Sequence, residues 1–143
     1  MIKGGFDKGR PTVLAEVSSR ESANHMTVNF LIDTGALNTT IMPGDASKFQ
    51  VDFSRLQSAP ALHIGGGMIP CYYISIDIDL IDGGVVYTYI GIDARIVNPL
   101  QCSVTHPSIL GQTAWVRWGL YISSTTVEID PIKPDLRDPP LHP

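Results

Sequence analysis

The strongest constraint on the fold is an alternation of apolar and polar residues between Tyr73 and Leu80. Isoleucine or leucine stands at positions 74, 76, 78 and 80, while serine or aspartate stands at 75, 77 and 79. Because successive side chains of a strand point to opposite faces, this period of two predicts a β-strand with one buried face. Asp82, Gly83 and Gly84 follow, and they suit the positive φ angles of a tight hairpin turn. The strand should therefore pair antiparallel with the apolar run from Val85 to Val97.

The rest of the chain adds short strands and little helix. Gln112 to Trp118 is the clearest helical segment, since it places Trp115 and Trp118 on one face and stops before Gly119. Gly44 to Phe49 indicates no more than a turn. Further β-rich runs are Thr12 to Val17, Met26 to Ile32, Thr39 to Met42, Ala61 to Ile64 and Thr125 to Ile129. The predicted fold class is all-β, a barrel or sandwich that carries one short helix near its C-terminal end.

The two ends of the chain differ from its middle. A length of 143 residues suits one domain, which we expect to span residues 11–130. Residues 1–10 contain three glycines and little to bury, which predicts a weakly ordered, flexible start. Residues 131–143 hold five of the eleven prolines, and proline at that density disrupts both helices and sheets. This last segment is expected to be a flexible or extended tail.

Charge and composition exclude several classes of partner. The formal net charge is −4 and the isoelectric point is about 5.4, so neither nucleic acid nor an anionic membrane surface would attract the chain. No apolar stretch approaches the roughly 20 residues that cross a bilayer, and the start shows no secretory signal, so a cytoplasmic location is expected. Cys71 and Cys102 are too few for a disulfide framework and are interpreted as reduced thiols, and the pattern of Cys and His residues predicts no metal site.

A single aspartate is the most informative chemical feature. Asp33 directly follows the buried run Phe30 to Ile32, and the small residues Thr34, Gly35 and Ala36 follow it. Small residues allow other backbone segments to approach closely. The pattern therefore predicts that the Asp33 carboxylate has a defined position at the end of a core strand. The alternative is that Asp33 only opens a turn, as aspartate often does.

Two later segments, together with the Asp33 motif, make the sequence resemble a known family. Pro107 to Gly111 is an apolar strand that ends in glycine just before the helix, and Gly119 to Asp130 returns as a strand. From roughly Val28 to Ile129, this order resembles the retropepsin-like aspartic proteases. The resemblance implies a β-barrel that forms half of the pepsin architecture. It also implies roles for named residues: Asp33 as the catalytic aspartate, Thr34, Gly35 and Ala36 as its support, and Ile109, Leu110 and Gly111 as the strand beside its loop.

A glycine-rich hairpin is predicted between Ala61 and Tyr73. Gly65, Gly66 and Gly67 separate two strand-like runs and would form a loop that can move. By resemblance this hairpin, from Ile64 to Met68, is the flap that closes over an extended peptide substrate. The alternative is an ordinary flexible turn.

The chemistry implied by the resemblance requires two copies of the chain. Aspartate-catalysed hydrolysis of a peptide bond uses two carboxylates that share one proton, one acting as base toward a water and the other as acid. Only one Asp-Thr-Gly occurs here, so the second carboxylate must come from another copy, and two-fold symmetry would place two Asp33 side chains face to face. The sequence therefore predicts an aspartic endopeptidase that is active as a homodimer and needs no cofactor.

One departure from the viral members of the family leaves an alternative open. An acidic residue near the motif and an arginine after the later glycine form an ion pair in those enzymes, whereas this chain has Leu37, Asn38 and Gln112 at these places. Both ends of the pair are missing together, so no buried charge is left alone. The alternative function is a catalytically inactive module for peptide binding or dimerisation. The chain could also be a domain released from a longer precursor.

Overall fold

The computed structural model describes residues 1–132, 134 and 135. Within them the chain forms eleven strands, two α-helices and one 3₁₀ turn at Phe53–Arg55. The strands are β1 Ile2–Lys3, β2 Gly5–Asp7, β3 Arg10–Ser18, β4 Met26–Ile32, β5 Thr39–Ile41, β6 Ser58–Ile64, β7 Gly67–Asp82, β8 Val85–Ile96, β9 Ile109–Leu110, β10 Gly119–Ile122 and β11 Val127–Asp130. The helices are α1 Pro43–Phe49 and α2 Gln112–Trp115.

The β7–β8 hairpin forms as the alternating pattern predicts. Asp82 pairs with Val85, and the turn residues Gly83 and Gly84 have φ angles of 57° and 85°. The apolar residues at positions 74, 76, 78 and 80 are all buried. Their burial supplies the hydrophobic free energy that selects this register, since a slip of one residue would expose every one of them.

Eight strands form one sheet that closes on itself. Its order is β2-β3-β4-β9-β5-β8-β7-β6, and an additional antiparallel pairing joins β3 to β7. This pairing completes a ring of six strands, so the backbone N–H and carbonyl groups along most strand edges of the barrel have hydrogen-bond partners. Phe30, Phe49 and Tyr89 are the largest of the fully buried side chains in its core. The predicted all-β fold class is confirmed.

The start of the chain differs from its prediction. Ile2 pairs with Ile129 in a small sheet of order β1-β11-β10, and Gly5 pairs with Thr12 at the edge of the large sheet. Gly4 lies between these two pairings, where a Cβ atom would overlap the carbonyl oxygen of Thr12. Backbone pairing thus places residues 2–7, for which the sequence predicted weak order because their side chains bury little.

The helices also differ from their prediction. The sequence indicated only a turn at Gly44 to Phe49, but α1 spans seven residues there, begins at Pro43, and buries Ala46 and Phe49. The second helix, α2, is shorter than predicted because the N–H group of Trp118 donates to the carbonyl oxygen of Trp115, which tightens the chain after the helix. Within the described residues, neither helix has the length or the apolar character needed to cross a membrane.

The predicted proline-rich tail lies mostly outside the described residues. Of the part that is described, the Asp135 N–H group donates to the carbonyl oxygen of Thr88, and the Asp135 carboxylate lies 3.0 Å from Arg117. The chain therefore still contacts β8 at residue 135.

A buried tyrosine should make the stability of the fold decrease with rising pH in alkaline solution. Burial, and to a lesser extent the negative charges of Asp130 and Asp135, raise the pKa of Tyr89 to about 12. Its ring packs edge-on against Trp118 at 5.5 Å, and its hydroxyl donates to the carbonyl oxygen of Ile132. The folded state therefore holds this proton at pH values where the unfolded chain, with a pKa near 10, has lost it.

We predict that the free energy of unfolding falls as the pH rises from about 10 to 12, by at most about 1.4 kcal/mol per pH unit from Tyr89. Urea unfolding at several pH values, with the Tyr89→Phe variant alongside, measures this. The variant lacks the ionisable group, so its stability should fall less steeply. Parallel curves for both proteins would contradict the prediction.

Candidate active site

The candidate site is built where a short strand inserts between two others. β9 pairs parallel with β4 and antiparallel with β5, so the chain from β4 to β5 loops around the end of β9. The pairing continues one residue past the end of β4, since the Asp33 N–H group donates to the carbonyl oxygen of Leu110 at 3.2 Å. Asp33 thus directly follows the buried end of β4, and this hydrogen bond holds it in a defined position.

The loop after Asp33 is held by hydrogen bonds to the aspartate itself. The Gly35 N–H group donates to the Asp33 Oδ1 atom at 2.9 Å, and the Ala36 N–H group donates to the Asp33 carbonyl oxygen at 3.2 Å. The indole N–H group of Trp115 also donates to that carbonyl oxygen, at 3.3 Å. Thr34 and Gly35 are exposed and Asp33 is half-buried, so the carboxylate is oriented yet remains open to a partner.

Two threonines that the sequence analysis did not select connect this loop to the next one. The buried Thr39 hydroxyl accepts from the Gly111 N–H group at 3.1 Å and from the Thr113 hydroxyl at 3.0 Å. Thr113 in turn accepts from the Thr39 N–H group at 3.2 Å. The signal that could have indicated this role is the polar side chain of Thr39 at the start of a strand that is buried throughout.

Gly111 is required by close backbone packing rather than by an unusual φ angle. A Cβ atom at this position would overlap the carbonyl group of Asn38. The adjacent Gln112 N–H group donates to the carbonyl oxygen of Ala36 at 2.9 Å. Backbone contacts thus join the two loops at the places where the viral ion pair would stand, and Leu37 there is exposed.

An open cleft of about 470 Å³ lies over Asp33. Several elements contribute side chains to it: Asp33, Ala36, Ile109, Leu62, His63, Ile64, Arg10 and His106. Four of the residues selected from sequence thus meet here, namely Asp33, Ala36, Ile64 and Ile109. Leu110 is buried behind the cleft, and Arg10, His63 and His106 were not selected because nothing in their local sequence marks them.

The glycine-rich hairpin forms at the predicted place. Ile64 pairs with Gly67, and Gly65 and Gly66 between them have φ angles of 59° and 81°. A Cβ atom at either turn glycine would meet nothing within 4 Å, and Met68 is 69% exposed. The tip therefore projects from the barrel with few contacts, as a loop that opens and closes must. Its role as a flap stays a prediction.

Other groups with catalytic potential are less suited to chemistry. Cys71 is a buried free thiol that donates to the carbonyl oxygen of Pro60, and burial raises its pKa, so the nucleophilic thiolate is disfavoured. No three His, Cys, Asp or Glu side chains come together as metal ligands anywhere in residues 1–132, 134 and 135.

Comparison with known proteins identifies the fold. No protein-family model matches the sequence, and no curated protein is similar to it. Among solved structures, the chain is similar to a retropepsin-like aspartic protease from Rickettsia conorii, with a TM-score of 0.63 and 20% sequence identity over 90% of this chain and 96% of that one. The chain has the retropepsin-like fold. It is also similar to EIAV protease in complex with the inhibitor HBY-793, with a TM-score of 0.52 and 18% identity over 75% of this chain and 86% of that one.

The retropepsin-like fold of this chain should depend on the close packing at Gly111. We predict that Gly111→Ala lowers the free energy of unfolding by about 1–3 kcal/mol or more, because the methyl group forces the two loops apart. Gly44→Ala is the matched control, since a Cβ atom there meets nothing within 4 Å. It lies within α1, where alanine is favoured over glycine by roughly 0.5–1 kcal/mol. Urea unfolding of both variants measures the difference, and equal midpoints would contradict it.

Proposed function

We propose that the protein is an aspartic endopeptidase that acts as a homodimer, with Asp33 of each copy forming the catalytic pair. The observation that supports this best is the position of Asp33. Its carboxylate is oriented by the Gly35 N–H group at the end of a buried strand, and Asp33 lines an open cleft of about 470 Å³. The retropepsin-like fold of the chain agrees with this function.

The cleft of one copy holds half of the required chemistry. Within the part of the chain that the structure describes, Asp33 is the only acidic side chain that lines it. Hydrolysis needs one ionised carboxylate to draw a proton from water and one protonated carboxylic acid to polarise the scissile carbonyl group. Two carboxylates about 3 Å apart achieve this by sharing a proton, a state that moderately acidic solution favours. A two-fold axis beside Asp33 would bring the second carboxylate to this place.

The strand order suggests how a peptide would lie in the cleft. β6 is the last strand of the large sheet, so one of its edges has no strand partner within the described residues. Leu62, His63 and Ile64 of β6 line the cleft. An extended peptide could add to such an edge through main-chain hydrogen bonds, with its side chains pointing alternately into and out of the cleft. The hairpin tip at Gly65 and Gly66 would then cover the peptide.

A catalytically inactive peptide-binding module remains the second candidate. The observation in its favour is the lack of a charged side chain at Leu37, Asn38 and Gln112, where the viral enzymes have their ion pair. Such a module would keep the cleft and the dimer but would not cleave peptides. Measured hydrolysis separates the two functions.

We predict that the purified protein cleaves members of a diverse peptide pool and that Asp33→Asn lowers the rate by about 10²- to 10⁴-fold or more, because the amide can neither accept nor share the proton. Mass spectrometry of the digests measures cleavage. Asp93→Asn is the control for loss of one negative charge, since Asp93 is exposed on β8 and does not line the cleft. Equal digestion by wild type and Asp33→Asn would reject the protease.

A mixing experiment tests whether the pair is shared between two copies. If subunits exchange, a ninefold excess of Asp33→Asn leaves only about one wild-type chain in ten with a wild-type partner. The activity of a fixed amount of wild-type protein should then fall to about one tenth, with peptide in excess so that binding by the variant does not deplete it. An unrelated inert protein at the same concentration serves as the control. Unchanged activity would show that one chain suffices.

A further inference from the structure

Basic side chains outnumber acidic ones in the described lining of the cleft, whereas acidic side chains outnumber lysine and arginine in the chain as a whole. The protein has 14 acidic side chains and 10 lysine and arginine side chains, yet Asp33 is the only acidic one among the described residues that line the cleft. Three side chains that carry or can acquire positive charge line it as well: Arg10, His63 and His106. They come from β3, from β6 and from the segment between β8 and β9, so the fold rather than the local sequence brings them together.

We propose that this cleft selects peptides with an acidic side chain close to the scissile bond, and that His106 is the main specificity-determining residue, assisted by His63 and Arg10. The inference rests on the proposed function for the position of the peptide. Complementary charge in a partly enclosed cleft steers the correct ligand and disfavours ligands of the wrong charge.

His106 is held in place by its neighbours. Its Nδ1 atom lies 2.8 Å from the carbonyl oxygen of Pro107, and because a carbonyl oxygen can only accept, Nδ1 must carry the hydrogen. The next residue, Ser108, is fully buried, donates to the Asp45 carboxylate at 2.6 Å and accepts from the Met42 N–H group at 3.0 Å. The half-buried ring is therefore presented from a fixed backbone, and Nε2 is the nitrogen left for a substrate.

The two other basic side chains remain available to a substrate. Arg10 lies 3.8 Å from Asp7, but both side chains are more than two-fifths exposed, so this ion pair is weak. His63 is exposed on β6 between Leu62 and Ile64, which pack against a small apolar cluster at the base of the hairpin. Arg10 and His63 could thus contact a substrate carboxylate in addition to His106.

Two of the three basic side chains that line the cleft are histidines. Histidine is the side chain that ordinarily changes charge between pH 5 and 8. Asp33, Arg10 and His63 line the cleft with His106, and the carboxylate of Asp45 on α1 accepts a hydrogen bond from Ser108, two residues after His106. A glutamate in the peptide stays ionised down to a pH near 4.3. Preference for an acidic peptide should therefore be strong at pH 5.5 and weaker at pH 7.5, where Arg10 remains charged.

The test compares peptides that differ only by Glu or Gln at one position, scanned along both sides of a scissile bond. The ratio of kcat/KM for the two peptides is measured at pH 5.5 and 7.5. At any one pH the ionisation of the catalytic pair affects both kcat/KM values equally, so its effect cancels in the ratio. At the best position we expect Glu to be preferred roughly 3- to 10-fold at pH 5.5 and about 2-fold or less at pH 7.5. His106→Gln should reduce the preference at pH 5.5 to about 2-fold. His25→Gln is the control and should leave it unchanged, since His25 is exposed and does not line the cleft.

A binding measurement separates this inference from the proposed function. Asp33→Asn protein, which should not cleave, is titrated with the same Glu and Gln peptides at pH 5.5, with and without His106→Gln. Preferential binding of the Glu peptide that His106→Gln reduces would support the inference even if wild type cleaved nothing. Equal cleavage and equal binding of the two peptides, or a preference that His106→Gln leaves intact, would overturn it. If neither peptide binds and wild type cleaves neither, both the inference and the proposed function are overturned. If neither binds but wild type cleaves both with equal kcat/KM, only the inference is overturned.

Discussion

The pairing of β9 between β4 and β5 is the interaction on which the rest of the molecule depends. β9 has only two residues, yet it joins the two strands that flank the candidate catalytic loop. Leu110 is fully buried, and an unmatched buried N–H or carbonyl group is costly, so hydrogen bonding favours this one register. That register sets the hydrogen bond from Asp33 to Leu110 and therefore the position of the carboxylate. The threonine contacts of Thr39 and Thr113 and the close approach at Gly111 keep the two loops from separating.

Rigidity and mobility are divided between the two sides of the cleft. The floor is built from interlocked loops on a closed barrel, which suits a group that must hold a proton-sharing geometry. The roof is a two-stranded hairpin whose base packs on a small apolar cluster and whose turn glycines have open space where a Cβ atom would stand. Such a segment can move without disturbing the barrel, because few buried contacts are lost when it does. The fold thereby holds the Asp33 carboxylate on a well-packed part of the barrel and leaves the hairpin tip with few contacts, as the predicted flap requires.

Local pattern predicted the parts of this protein whose structure follows from their own residues. The β7–β8 hairpin, strand β4 from Met26 to Ile32 and the glycine turn at positions 65 and 66 were all predictable, because period and turn chemistry act over a few residues. Helix α1 was not predicted, since its seven residues are stabilised by the burial of Ala46 and Phe49 in the barrel rather than by helical propensity. The strands of the first seven residues escaped prediction for a similar reason. They are placed by distant partners such as Ile129 and Thr12.

By itself the sequence determined the all-β class and the aspartate at the end of a buried strand, and it predicts that a second copy would complete a two-carboxylate site. These follow from residue periodicity, from the small residues after Asp33 and from the stoichiometry of the chemistry. Only the tertiary structure decided which side chains face that aspartate. Arg10, His63 and His106 are separated by up to 96 positions along the chain and meet in the cleft because the sheet closes through β3 and β7. Long-range closure of this kind is set by the summed packing of the whole barrel, which no local segment encodes.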